Sequence, residues 1–346
     1  MTTKQRRSGA SAKHMATFND FAETVKRTTG TVCAAAVFAV SSAGAFADQT
    51  IAAPAPKADL PEIAAAYVQF RKDVAEIKAM GMDSADETRE AHKRLAAHDP
   101  DTLAQGWVAY VALVAADSPD FSKGLQKSLR RTKRDKMIAK LSTDLNYAAT
   151  LPGANKAVEA VLQTAASDAA YLTSLGKEFE EAAYALQKTQ WGVKPVADRG
   201  SRFETAKSFA ASRPKAEAPN MGELKGKGAR GVVAPSLASA GVPWSASWAA
   251  AEAEGDVQLS GPRAEPMMQQ VLTLAARYSL DAAKPGDQAL AVLVQNKKGA
   301  RCVKWAKLHL DQCLAATRAP YEEAYCFGRH GLSDVSECVG WVASES

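Results

Sequence analysis

The chain has 346 residues and a formal charge of +5, yet residues 1–47 hold six of its 43 Lys and Arg and only two of its 38 Asp and Glu. The remainder is therefore close to neutral, which excludes the net basic surface that nucleic-acid binding needs to displace counterions from phosphates. At this length the chain can bury one large core or two modest ones.

The segment Val32–Ala47 is uncharged, built mainly of Ala, Val, Phe, Ser and Gly, and follows Lys26-Arg27. It closes on Ala45-Phe46-Ala47, a small-x-small pattern just before Asp48. This is the order of a secretory signal, so residues 1–47 are expected to be a signal peptide cleaved between Ala47 and Asp48. The stretch is short for a bilayer span, which wants about 20 strongly apolar residues. Retention of the leader as an anchor is the alternative. Initiation at Met15 would leave a basic region of ordinary length. Arg6-Arg7 lies too far upstream for twin-arginine export, and Gly30-Thr31-Val32 before Cys33 does not make a lipobox.

Residues 48–58 are Ala/Pro-rich and read as an extended tether. From Leu60 the apolar residues Ile63, Tyr67, Phe70, Val74 and Ile77 recur at three- and four-residue steps, which predicts a helix with one buried stripe. Asp99-Pro100 and Ser118-Pro119 each set a capping side chain before a proline suited to the first helical position. The helix after Asp99 is apolar nearly all round, from Leu103 through Trp107 to Val114, and is the candidate for a central buried helix.

The next segment carries Lys123, Lys127, Arg130, Arg131, Lys133, Arg134, Lys136 and Lys140 among Phe121, Leu125, Leu129, Met137, Ile138 and Leu141. It reads as one basic amphipathic helix. Lys127, Arg130, Arg131 and Arg134 are its candidate contacts to anionic lipid or cell-wall glycan, against a plain solvated face. After Pro152 a long periodic run predicts one helix, or two separated near Gly176. These elements make residues 59–190 a helical domain.

Residues 191–263 change texture, with Pro195, Pro214, Pro219, Pro235, Pro243 and Pro262 among many glycines, a spacing through which helices are not expected to run. Gly222–Gly231 is low in complexity. Trp244 and Trp248 stand four apart beside Pro243.

Regular structure is expected again over 264–346, which holds Cys302, Cys313, Cys326 and Cys338. Four thiols in an exported chain predict two disulfides. Cys302 and Cys313 lie on one helix roughly 16 Å apart, beyond the 7 Å or so that a disulfide spans. A turn at Thr317–Pro320 folds the chain back, so that Cys313 faces Cys326 and Cys302 faces Cys338, each pair nearly equidistant from the turn. The expected bonds are these nested ones. A register shift at Gly328–Gly331 would favour the crossed pairing instead.

No catalytic, cofactor-binding or metal-binding residue is assigned. Ser174-Leu-Gly-Lys177 matches a serine acyl-enzyme element without its companions, and neither a Gly-x-Ser-x-Gly elbow nor a phosphate-cradling glycine loop occurs. His309 with Cys313 is a usable ligand pair at i,i+4, but thiols committed to disulfides cannot bind metal. His92 and His98 read as surface groups, and Glu322-Glu323 read as first-turn acids after Pro320 that favour the helix dipole, with acid–base work beside His330 as the alternative.

The fold class is all-α: an Ala-rich helical domain, bundle or hairpin array, then a Pro/Gly-rich irregular segment and a disulfide-stapled C-terminal helical hairpin. The expected role is an exported periplasmic or secreted module that supports structure or binds an envelope protein partner, without catalysis, cofactor or nucleic acid. The alternatives are a small-ligand or cell-wall-glycan binder using Trp107, Trp191, Trp244, Trp248, Trp305 and Trp341 as stacking surfaces, and an envelope hydrolase or its accessory.

Overall fold

A computed structural model describes residues 57–196, 202–212, 226–227, 232–234 and 257–345. The leader with its Ala47–Asp48 junction, and Trp244 and Trp248, lie outside the described residues.

The protein is all-α. The first helix, α1 (Leu60–Met80), starts where Asp59 and Glu62 close a capping box, each side chain accepting from the other's backbone N–H. Helix α2 (Ala85–Ala97) is capped by Ser84. In α3 (Pro100–Asp117) the Asp99 carboxylate accepts from Thr102 N–H at 2.9 Å. Ser118 occupies the capping position of α4 (Pro119–Leu129) but makes no side-chain bond there.

Helix α3 is the central helix that its all-round apolar pattern predicts. Val108, Ala109, Val111, Ala112, Leu113, Ala115 and Ala116 are wholly buried. Each Val or Leu among them contributes about 1.5–3 kcal/mol through burial.

The basic segment is not one helix. Helix α4 ends at Leu129, residues 130–133 turn, and α5 (Arg134–Thr143) begins anew. Each half packs its own apolar residues: Phe121 and Leu125 from α4, Met137 and Leu141 from α5, all fully buried. The run of cations at Arg130, Arg131 and Lys133 is thereby left at the exposed turn.

A single 3-10 turn (Ala148–Thr150) leads to α6 (Ala154–Leu186), one unbroken helix of 33 residues, about 50 Å long. Gly176 does not divide it. Its missing side chain instead lets the C-terminal segment approach, since a Cβ there would stand 2.2 Å from Ser333 Oγ and 2.7 Å from Gly328 O. A Cβ on Gly328 would likewise meet Gly176 O at 2.5 Å, so two glycines form this close backbone crossing.

Within the Pro/Gly-rich region a ten-residue helix, α7 (Arg202–Ala211), fits between Pro195 and Pro214. Helices therefore do occur there, because these two prolines are far enough apart. Short antiparallel pairs join β1 (Gly226–Lys227) to β2 (Val233–Ala234), and β3 (Val257–Leu259) to β4 (Ala343–Glu345).

The C-terminal part comprises α8 (Glu265–Ser279), α9 (Gln288–Leu293), α10 (Lys297–Ala316), α11 (Pro320–Cys326), a π-helical segment Phe327–Ser333, and α12 (Asp334–Gly340). Helices α8 and α10 pack on α3, while α11, the π segment and α12 lie along α6. Side chains from Leu60 through Val342 thus belong to one continuous hydrophobic core.

Two buried polar clusters fasten this core. The Arg71 guanidinium of α1 pairs with Asp168 of α6, Nη2 to Oδ1 at 3.3 Å, and donates to the Tyr110 hydroxyl of α3. Tyr67 donates to the other Asp168 oxygen at 2.7 Å. Burial pushes the Tyr67 hydroxyl well up and that of Tyr110 to about 12, so both stay protonated. Asp73 of α1 accepts from Arg94 at 3.0 Å and from His98 Nε2 at 2.9 Å, tying α1 to α2. His98 is therefore not the surface group its sequence context suggested; it is buried, edge-on to Phe70.

Candidate functional site

The most densely featured surface is the C-terminal hairpin. Asn296 caps α10 by accepting from Gly299 N–H at 2.8 Å. The helix stops at Ala316 and the chain reverses through Thr317–Ala319. Pro320 then opens α11, where the Glu322 carboxylate reaches back to accept from the Arg318 and Ala319 N–H groups.

The reversal sets Cys302 against Cys338 and Cys313 against Cys326, with Cα separations of 5.4 and 5.7 Å. The nested pairing holds although Gly328–Gly331 lies in the π segment. There the backbone widens its hydrogen-bonded turns without breaking the arm, and this absorbs the local irregularity.

Beside the Cys313–Cys326 bond lies an open groove of about 360 Å³. Ala183 and Tyr184 of α6 form one wall, and Tyr321 and Tyr325 of α11 the other. Tyr184 is 62% exposed and Tyr325 37%. Glu322, also on the rim, has its carboxylate engaged by the N–H groups it caps and by the Tyr321 hydroxyl at 3.3 Å. The lining is thus apolar and aromatic in character.

On α10 four residues before Cys313 stands His309. Its Nδ1 donates to Asp334 Oδ2 at 3.1 Å, and His330 Nδ1 donates to the same oxygen at 2.8 Å. Burial works against the charge on Asp334, but the bonds from His330 and His309 outweigh it and hold that carboxyl below the usual carboxylate range. Among the described residues this is the one group of three side chains placed to hold a metal ion. The sequence offered two weaker partners for these histidines. Cys313 is consumed by its disulfide, and Glu322 by its capping role, so neither forms a site with them.

A second concavity, about 350 Å³, is lined by His92, Arg89, Trp191, Phe209, Glu323 and Phe327 among others. His92 packs edge-on to Phe209 with ring centroids 5.1 Å apart and is half-buried rather than a surface group. Of the tryptophans read as stacking surfaces, Trp191 lines this cavity, Trp107 is buried in the core, Trp341 lies under the Lys298 ammonium at 3.8 Å, and Trp305 is exposed. The described tryptophans do not converge on one platform.

The candidate anion contacts separate as well. Lys127, Arg130 and Arg131 are exposed at the end of α4 and the turn after it. Arg134 is used structurally: its Nε donates at 2.9 Å to Leu280 O at the C-terminal end of α8, where orphan carbonyls need donors. Ser174 and Lys177 are exposed on α6, on either side of the buried Leu175 and Gly176. No described helix is long and apolar enough to cross a membrane.

Compared with protein-family models, with curated proteins and with solved structures, the chain matches none of them, so the functional reading rests on its own geometry.

Proposed function

We propose that this chain is an exported cell-envelope protein whose disulfide-stapled helical module binds a protein partner through the tyrosine-lined groove beside Cys313–Cys326. One observation carries the reading: Tyr184, Tyr321 and Tyr325 converge on an open apolar groove over a covalently fixed floor. Tyrosine is enriched at protein interfaces because it brings a large apolar area with a polar tip and few rotors to freeze.

The occupant that suits this lining is a peptide segment presenting apolar side chains, since the one carboxylate on the rim is already engaged. The expected leader and the two disulfides support an oxidising compartment for the module. A rigid floor lowers the ordering cost of binding.

Photo-cross-linking tests this in cells. A benzophenone side chain at Tyr184 or Tyr325 is expected to trap one discrete envelope protein, joined through an apolar peptide. The same probe at Val292, an apolar residue 61% exposed on α9, is expected to trap nothing. Adducts at all three positions, or at none, would contradict the proposal.

A further inference from the structure

The cluster of His309, His330 and Asp334 is explained neither by the groove nor by the core. We propose that these three side chains form a surface site for a divalent transition cation of borderline softness, with Zn²⁺ as the test case. The donor set, two imidazoles and one carboxylate, is the combination such ions take in sites with an open position.

Spacing supports the assignment. The Nδ1 atoms of His309 and His330 stand 3.1 and 2.8 Å from Asp334 Oδ2. Adjacent ligands around an ion with bonds of about 2.0–2.1 Å are separated by roughly 3 Å. All three ligand atoms lie within 4.8 Å of one another, close enough for side-chain rotation to direct them at one centre.

The scaffold is also fixed in advance. His309 is on α10, His330 in the π segment and Asp334 opens α12. The Cys302–Cys338 bond joins α10 to α12, about two turns before His309 and one turn after Asp334. An ion bound here adds a second cross-link beside the covalent one. His309 is 46% exposed, which leaves the remaining coordination positions to water. Trp305 lies next to His309, with ring centroids 6.0 Å apart.

The test is calorimetric titration of the oxidised, tag-free protein with ZnCl₂, repeated on His309→Ala and Asp334→Asn. The wild type is expected to bind one ion saturably and to melt at a higher temperature with Zn²⁺ than without. Both variants should bind at least about tenfold more weakly, since even outer-shell losses weaken such sites by that factor. His309 is at the surface, so His309→Ala should keep the wild-type melting temperature in the absence of metal and lose only the Zn²⁺ increment. Absence of binding by the wild type, or unchanged binding by both variants, would overturn the proposal.

Discussion

Replacing Asp168 by alanine is expected to lower the unfolding free energy by about 3–5 kcal/mol, because it leaves the Arg71 guanidinium buried without its carboxylate. The Arg71 and Asp168 side chains are only 6% and 2% exposed, so water cannot take the place of the lost partner. The same substitution orphans the Tyr67 hydroxyl, which donates to Asp168 at 2.7 Å. Urea denaturation at neutral pH measures the loss.

The pair Arg71→Met with Asp168→Leu should recover most of it, since apolar side chains of similar volume remove both charges together. A loss below about 1 kcal/mol in Asp168→Ala would show that the site hydrates, and would contradict its place as the polar fastening between α1, α3 and α6.

The Cys302–Cys338 bond should have an effect of similar size. It closes a separation of 36 residues, and in the chain-entropy description its removal costs about 4 kcal/mol, against about 3 for the 13-residue separation of Cys313–Cys326. The double variant Cys302→Ser/Cys338→Ser is therefore expected to be the less stable of the two disulfide deletions, as read by denaturant midpoint. The reverse order would mean that the inner bond, at the groove, holds the native packing more than it limits the unfolded chain.

Much of the architecture is legible locally. Asp99 is a capping residue before an apolar period and begins a helix with its side-chain bond in place, whereas Ser118 opens α4 without one. The all-round apolar pattern of α3 announces its central position, and the equidistance of the cysteines from the Thr317–Pro320 turn announces their pairing. The break between α4 and α5 had no such signal. Residues 130–133 hold neither glycine nor proline, and the interruption arises because Phe121 and Met137 are drawn into different parts of the core. Gly176 read as a weak point within a helix, whereas it serves a close approach from Gly328 that only the tertiary fold reveals.

The histidine cluster shows the same limit. His330 and Asp334 stand four apart, and His309 is as far before the turn as His330 is after it. The register that pairs the cysteines therefore also pairs the imidazoles. Local spacing offers Cys313 as a ligand partner for His309 and Glu322-Glu323 as an acid–base partner for His330, and gives no reason to add Asp334 to both. The charges of Arg71 and Asp168 are nearly a hundred residues apart in sequence and had no local signature at all.

Non-reducing peptide mapping, with intact mass before and after reduction and alkylation, tests the central claim most directly when done on protein taken from an envelope fraction. The account predicts a chain beginning at Asp48 that takes up four alkyl groups only after reduction, with Cys302 linked to Cys338 and Cys313 linked to Cys326. Free thiols on a chain that retains its leader, or crossed links, would contradict it.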